Sequence, residues 1–208
     1  MKLLGFIGIL SLAGCYSFST LGRARIVEAG AIEVFGAPAA LVQAVSNGAT
    51  IRPVGDLGVR YGLDERWELE GRITTLGATV GPRIQLLRSA DPSSGFDLLI
   101  APGLAYTYPD KLALEMPVVF GWNVGKGDQV ILAPRLVYQA RFSDEGVSYP
   151  LSYVFGGASV GFAWKVSRHF TLLPEVSFLT QLYAQPGFSS NLEGALGIQA
   201  SAGILFDL

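Results

Sequence analysis

The stretch Lys111–Phe142, KLALEMPVVFGWNVGKGDQVILAPRLVYQARF, decides the fold class of this 208-residue chain. Apolar side chains recur at every second position on both sides of the turn Val124–Asp128, starting at Leu112 and at Val130. Because successive side chains of a strand point to opposite faces, this period of two predicts a hairpin of two long strands, each with one apolar and one mixed face. Both strands exceed the five or six residues usual in soluble sheets, and they suit tilted strands that cross a bilayer.

The same alternation continues along most of the chain and predicts an all-β fold. We expect a closed, antiparallel, up-and-down transmembrane β-barrel of about ten strands, with eight as the alternative number. Arg25–Phe35 is the first predicted strand and the least regular one, because Ala and Gly dilute its alternation. Gly36–Ala49 contains Pro38 and the pair Asn47-Gly48, which predict a long loop.

The predicted connections differ in length between the two ends of the barrel. Short periplasmic turns and longer outside loops are typical of bacterial barrels with an even number of strands. Mostly short turns would share the end that holds both termini, and connections that are longer on balance would lie at the other end. The first set is 64–66, 89–95, 124–128 and 167–169; the second is 36–49, 108–110, 143–150 and 184–190.

Aromatic side chains are expected at the two levels where such a barrel would meet lipid headgroups. Their amphipathic rings favour that region, so two aromatic belts should flank an aliphatic band. Packing of the same rings in a soluble core is the alternative. The predicted interface residues are Tyr61, Trp67, Trp122, Trp164 and Phe170 near the short turns, and Tyr106 and Tyr153 at the other end.

The amino-terminal residues predict export from the cytoplasm. The apolar run Leu3–Ala13 follows Lys2 and has the length of a signal-peptide core, which is too short to span a bilayer as a mature helix. It ends in Leu12-Ala13-Gly14-Cys15, which resembles the bacterial lipobox. That resemblance implies cleavage before Cys15, acylation of its thiol and, because Tyr16 follows, sorting to the outer membrane; an ordinary secretory signal is the alternative. The expected division is a lipoprotein signal peptide over 1–14, a lipidated tether over 15–24 and the barrel over 25–208.

A second stretch carries a family resemblance. RYGLDERWEL, from Arg60 to Leu69, resembles a strand–turn–strand signature common in bacterial outer-membrane barrels, with an acidic-basic turn before an alternating strand. Over nearly the whole mature chain the sequence resembles the small outer-membrane β-barrel proteins of Gram-negative bacteria. The resemblance implies a chain in the outer membrane, surrounded by its lipids and with its N-terminus lipid-anchored on the periplasmic side.

The mixed faces of the strands carry charges that would line the barrel interior. Such charges need partners or water, because burying an unpaired charge costs several kcal/mol. One interpretation is an Arg–Glu network that fills a narrow lumen, and the other is the polar lining of a pore; ten strands lie close to the filled end of the size range. The predicted lumen network comprises Arg52, Asp56, Arg60, Glu68, Glu70, Arg72, Arg83, Glu115, Arg135, Arg141 and Glu175.

The composition argues against several classes of function. A formal net charge of −2 gives no electrostatic basis for binding nucleic acid. With one histidine and one cysteine, a metal site of His/Cys spacing is not expected. His169 could act as a base with Ser167 or Glu175 nearby, but a solvated turn residue is the simpler interpretation. We therefore expect no catalytic residues, no cofactor and no enzyme activity.

Three hypotheses of function follow from these patterns, besides a disfavoured one, a lipid-modifying or proteolytic enzyme. The first is a non-catalytic outer-membrane β-barrel lipoprotein with a structural or interaction role through its extracellular loops, whose extracellular or periplasmic protein partner the sequence does not identify. The second is a porin-like narrow channel or transporter for small solutes. The third is a periplasmic lipocalin-like binding lipoprotein, which requires an apolar interior and a polar exterior.

Overall fold

The computed structural model describes residues 19–45, 48–75, 77–125, 127–142, 151–185 and 196–208. Within these ranges no helix is long and apolar enough to cross a membrane. The predicted signal peptide, Cys15 and the predicted loop 143–150 lie outside the described residues. The strands are β1 (Ile32–Val45), β2 (Gly48–Gly62), β3 (Trp67–Thr74), β4 (Gly77–Leu87), β5 (Ser94–Ile100), β6 (Gly103–Thr107), β7 (Lys111–Val124), β8 (Gln129–Arg141), β9 (Leu151–Lys165), β10 (Phe170–Ala184) and β11 (Leu196–Asp207).

The strands form one closed antiparallel barrel. Each strand pairs with its neighbours in chain order, and β1 closes the ring by pairing with β11. β5 and β6 are separated only by Ala101-Pro102, and both pair with β4 on one side and β7 on the other. β5 and β6 therefore form one interrupted strand of the wall, so the eleven segments make a ten-stranded barrel. The predicted ten-stranded barrel is confirmed.

The hairpin over Lys111–Phe142 has the predicted register and faces. β7 and β8 pair from Lys111 opposite Arg141 to Asn123 opposite Gln129. Met116 and Leu136 on the apolar faces are 49% and 57% exposed, whereas the lumen-facing Glu115 and Arg135 are 5% and 4% exposed. The exterior is apolar and the interior carries the charges, which is the reverse of a lipocalin-like arrangement. This finding excludes the third hypothesis.

The start of the barrel differs from the prediction. Residues 36–45 are not a loop: β1 begins at Ile32, not at Arg25, and runs to Val45. Pairing with β2 and β11 on both sides satisfies its backbone, while Phe35, Ala37 and Leu41 are buried in the interior. These tertiary contacts outweigh the weak strand propensity of Gly, Ala and Pro. Around Pro38, which lacks an N–H, the positions of β1 paired with β11 skip from Gly36 to Ala39.

The two ends of the barrel are less different in loop length than predicted. We call the end with the start of β1 and the end of β11 the terminus end; it carries the connections 63–66, 88–93, 125–128 and 166–169. The opposite, or loop, end carries 46–47, 75–76, 108–110, 142–150 and 185–195. Only the last two of these are long. The predicted asymmetry therefore rests on two connections, because the predicted loop 36–49 is mostly strand.

Among the described residues, one strand edge is left unpaired near the loop end. β2 pairs with β1 from Gly48 onward but with β3 only from Asp56 onward. The open edge stops at Gly55, whose N–H donates to Thr75 Oγ1 at 2.8 Å and whose carbonyl accepts from Thr75 N at 3.0 Å. Alternate residues of a strand direct their backbone groups to the same side, so the backbone nitrogen of Pro53 faces this edge, as that of Gly55 does. Because proline has no N–H, the edge lacks a donor at this position. A proline there discourages pairing with another chain.

We expect Pro53→Val to promote self-association, because it restores a backbone donor on the open edge. The matched control is Pro82→Val in β4, which is paired with Leu69 of β3 on one side and covered by the junction of β5 and β6 on the other. Sedimentation in detergent micelles should show a concentration-dependent dimer for P53V and a monomer for P82V. Identical behaviour of the two variants would contradict the role assigned to Pro53.

Candidate functional site: the barrel lumen

The lumen contains the chain's own amino-terminal residues. Ser19–Val27, which we call the lumen segment, lies inside the barrel, and its Leu21, Ala24 and Ile26 side chains are at most 3% exposed. These three join the apolar cluster formed by wall residues such as Leu99 and Ile131. The predicted tether 15–24 is therefore wrong for residues 19–24, which are packed within the barrel.

Wall side chains accept hydrogen bonds from the backbone of the lumen segment. Glu175 on β10 accepts from the N–H groups of Thr20 and Leu21, at 2.6 and 2.9 Å. Acceptors from other strands follow the segment toward the terminus end. Ala24 N donates to Gln129 Oε1 at 2.7 Å, Ile26 N to Gln85 Oε1 at 2.9 Å and Val27 N to Glu68 Oε2 at 2.6 Å.

Arginine and glutamine side chains donate to the carbonyl groups of the same segment. Arg72 donates to Ser19 O at 2.7 Å, Arg60 to Leu21 O at 2.6 Å and Arg83 to Arg23 O at 2.6 Å. Buried peptide groups require partners, and here the side chains of the wall supply what a strand ladder supplies elsewhere. The lumen segment is thus bound specifically along its length.

Glycines of the wall make room for the segment. A Cβ atom on Gly121 would lie 2.5 Å from the Ala24 Cβ, and one on Gly203 would lie 3.1 Å from Leu21 Cδ2. Within the segment itself, a Cβ on Gly22 would lie 2.2 Å from Arg83 Nη1. A side chain at Gly121 or Gly22 would force its neighbours to shift and one at Gly203 would be a tight contact, so glycine at these positions allows the wall and the segment to approach closely.

An ion-pair network lies beside the segment. Arg60 is fully buried; its guanidinium contacts Glu33 and lies 2.7 Å from Glu70 Oε2. Arg83 lies 2.9 Å from Glu68 Oε1 and 3.0 Å from Glu70 Oε2. Each of these two arginines faces at least two carboxylates, so its buried positive charge is balanced by nearby negative charge.

The structure brings most of the predicted lumen network together, but not all of it. Arg52 and Arg141 lie near the loop end and are partly exposed; Arg141 pairs with Asp110 at 3.2 Å. Glu70 is intermediate in exposure. The remaining predicted residues are buried in the interior: Asp56, Arg60, Glu68, Arg72, Arg83, Glu115, Arg135 and Glu175.

A cluster of apolar side chains lies in the half of the lumen toward the loop end. Leu41, Ala105, Ala113, Val137 and Leu179 form a second buried cluster, each at most 5% exposed. The side chains of Val54 and Phe155 pack against it. Among the described residues the interior is thus occupied by the lumen segment in one half and by this apolar cluster in the other.

The predicted interface aromatics lie on the exterior with one exception. Tyr153 is only 9% exposed and faces the interior, where its ring lies 6.4 Å from that of Phe155. The prediction for Tyr153 is wrong because eleven positions, an odd number, separate it from the outward-facing Trp164, and an odd separation reverses the face. Tyr61, Trp67, Tyr106, Trp122 and Trp164 are 41–53% exposed, and Phe170 is intermediate.

Several interior polar residues were not predicted. Glu33 lies in the first predicted strand, Arg25–Phe35, where Ala and Gly dilute the alternation and leave the inward face undefined. Asp97 lies between Phe96 and Leu98, so the alternation alone could have placed it inside; it is fully buried and pairs with Arg25 at 3.1 Å. Gln85 and Gln129 also lie inside, but an uncharged side chain on the mixed face of a strand does not by itself indicate a lumen network.

His169 has a structural contact at the terminus end. The His169 side chain is exposed, and its Nδ1 lies 3.0 Å from the carbonyl oxygen of Asp207. Within the described part of the chain, no group of three His, Cys, Asp or Glu residues is placed to hold a metal ion.

Three solved structures illustrate what this chain is similar to. Neisserial surface protein A is 14% identical, with a TM-score of 0.48 over 86% of this chain and 99% of its own. The attachment invasion locus protein Ail of Yersinia pestis is 11% identical, with a TM-score of 0.40 over 86% and 99%. OprG of Pseudomonas aeruginosa is 9% identical, with a TM-score of 0.39 over 90% and 99%.

By name, the first is a surface protein, the second an attachment invasion locus protein and the third an outer membrane protein. No family model matches the chain, and no curated protein matches it in sequence. The chain is an outer-membrane-type β-barrel on its own features: a closed ring of strands with an apolar exterior and a charged interior.

Proposed function

We propose that this chain is a non-catalytic outer-membrane barrel with a structural or interaction role, and that it does not conduct solutes. The observation that carries the proposal is the double occupation of the lumen, by the bound lumen segment and by the apolar cluster around Leu41 and Leu179. A barrel filled in this way acts through the surfaces at its two ends, where a protein partner would contact the loops.

The apolar cluster separates this proposal from the channel hypothesis. Removal of the lumen segment alone would leave Leu41, Val137 and Leu179 across the other half of the interior. An apolar constriction of this kind excludes hydrated ions by dewetting. We therefore propose that the barrel stays closed whether or not the segment is inserted.

Planar-bilayer recording tests this proposal. We expect the purified chain to insert without stepwise conductance, because no hydrated path crosses the apolar cluster. Folding of the same preparation is verified by a faster unboiled band on a denaturing gel. Reproducible conductance steps from correctly folded protein would contradict the proposal and favour the channel hypothesis.

We also propose that Cys15 is a lipidation site that anchors the chain on the periplasmic side of the outer membrane. The support is the sequence Leu12-Ala13-Gly14-Cys15 at the end of the apolar run. Incorporation of a labelled fatty acid should be seen in the natural chain and lost in Cys15→Ala. Equal labelling of the two chains would refute this proposal without affecting the closed lumen.

The depth of Ser19 in the lumen limits how far Cys15, four residues earlier, can lie from the barrel interior. Ser19 Oγ donates to Glu175, five residues beyond Phe170 at the terminus end, which is roughly 12 Å inside the barrel at about 3.3 Å per residue and a tilt of about 45°. Four residues span at most about 14 Å, so after the roughly 12 Å to the rim only about 2 Å would remain, which is too little to pass around the barrel wall and enter the surrounding leaflet. We therefore propose that lipid anchoring and full insertion of the lumen segment exclude one another.

A further inference from the structure

The terminus end opens onto a cavity of about 840 Å³. Its floor is the end of the lumen segment, where Arg23, Arg25 and Val27 line it, and its sides are the ends of the strands and their turns. This volume lies in the range of small-molecule sites, about 300–1,000 Å³. The neighbouring barrel half is packed, so the cavity is a closed-ended bowl and not the mouth of a passage.

Basic side chains dominate the charge of this bowl. Arg23 and Arg25 are already paired, with Glu33 and Asp207 in the first case and with Asp97 in the second. Arg88, Lys165 and Arg168 also line the cavity, and within the described residues none of the three side chains has a carboxylate partner. The carboxylates that line the same cavity are Glu28 and Asp207, of which Asp207 is already paired.

The strand β9 directs Lys165 into the bowl, and Arg88 lines the bowl beside an ordered turn. Lys165 has the lumen parity of β9, which it shares with the buried Ala163, whereas Trp164 between them faces outward. Arg88 precedes a turn fixed by Asp91, which accepts from Ser93 N at 2.8 Å, Ser93 Oγ at 2.7 Å and Ser94 Oγ at 2.9 Å. These hydrogen bonds, led by that from the Ser93 side chain, lower the pKa of Asp91.

We propose that the bowl at the terminus end binds a phosphate group through Arg88, Lys165 and Arg168. Arginine forks match phosphate oxygens in pairs, and a lysine adds a compact positive charge. The phosphate belongs either to a small soluble ligand or to the headgroup of a phospholipid at the rim. The site is independent of whether the barrel conducts.

Calorimetric titration with inorganic pyrophosphate, at low ionic strength and in uncharged detergent, tests the site. We expect saturable binding to the folded natural chain and at least a tenfold weaker affinity for R88Q/K165Q/R168Q. The matched control is R52Q/K111Q/R141Q, which removes the same charge from the loop end and should bind like the natural chain. The single substitutions R88Q and R168Q, both at exposed positions, replace the triple variant if it does not fold.

The outcomes separate the site from general electrostatics. Absence of saturable binding, or equal weakening in the two triple variants, would overturn the proposal. Repeating the titration in phosphatidylcholine vesicles with and without phosphatidylglycerol distinguishes the two sources. Loss of pyrophosphate binding only with phosphatidylglycerol supports occupation by a headgroup, and unchanged binding supports a soluble ligand.

Discussion

Replacing Arg60 by methionine is expected to lower the free energy of unfolding by about 3–5 kcal/mol, because it removes one partner from a buried ion-pair network. The guanidinium contacts Glu33 and Glu70, donates to Leu21 O and lies 4.2 Å from the centre of the Phe35 ring. Methionine fills part of the space but leaves Glu33 in the interior with fewer compensating charges. The variant also loses a bond that holds the lumen segment.

Denaturant unfolding in phospholipid vesicles, followed by tryptophan fluorescence, measures this effect. The control is Arg66→Met, an exposed arginine in the turn before β3, for which a change within about 0.5 kcal/mol is expected. Arg60→Lys should fall between the two variants, since it keeps the charge but not the planar fork. A loss below about 1 kcal/mol for R60M would show that the network is hydrated and not packed as described.

Met116→Arg is expected to destabilise the barrel by about 2–4 kcal/mol, because it places a charge near the middle of the lipid-facing band. Met116 is 49% exposed on β7 and lies between the levels of Tyr106 and Trp122. An arginine in water would be harmless at such a position. The expected loss therefore depends on lipid surrounding the exterior.

Depth along the same strand provides the control. Val124 faces outward at the terminus end of β7, 44% exposed, and Val124→Arg should cost about 0–1 kcal/mol. The same vesicle unfolding assay compares the two variants with the natural chain. Equal effects at the two depths would contradict a membrane-spanning orientation of the strands.

The sequence predicted the parts of the fold that repeat with a period of two. The register and faces of Lys111–Phe142 could be predicted because long, regular alternation is determined within each strand. β1 could not, because Gly36, Pro38 and Ala39 carry little strand propensity and are held by two neighbours, one of them β11 at the other end of the chain. Tertiary pairing there outweighs local preference.

The interior could be predicted only in part. The inward orientation of Arg60, Glu68 and Arg83 could be predicted, because charges that alternate with lipid-facing apolar side chains along a strand must face the interior of the barrel. The lumen segment was not found, since STLGRARIV has neither alternation nor a motif. Its partners Glu68, Gln129 and Glu175 lie 41 to 155 residues away along the chain, so only the closed barrel brings them to it.

The position of the lumen segment is tested most directly by a disulfide between residues 19 and 201. Ser19 Oγ and Ser201 Oγ lie 3.2 Å apart, on the segment and on β11 respectively. In a Cys15→Ala background, S19C/S201C should form an intramolecular disulfide on mild oxidation of the folded barrel, detected by mass and by gel mobility. S19C/S167C, with the second cysteine in an exposed turn at the terminus end, should not. Failure of residues 19 and 201 to cross-link in folded protein would contradict a lumen closed by the chain's own amino-terminal segment.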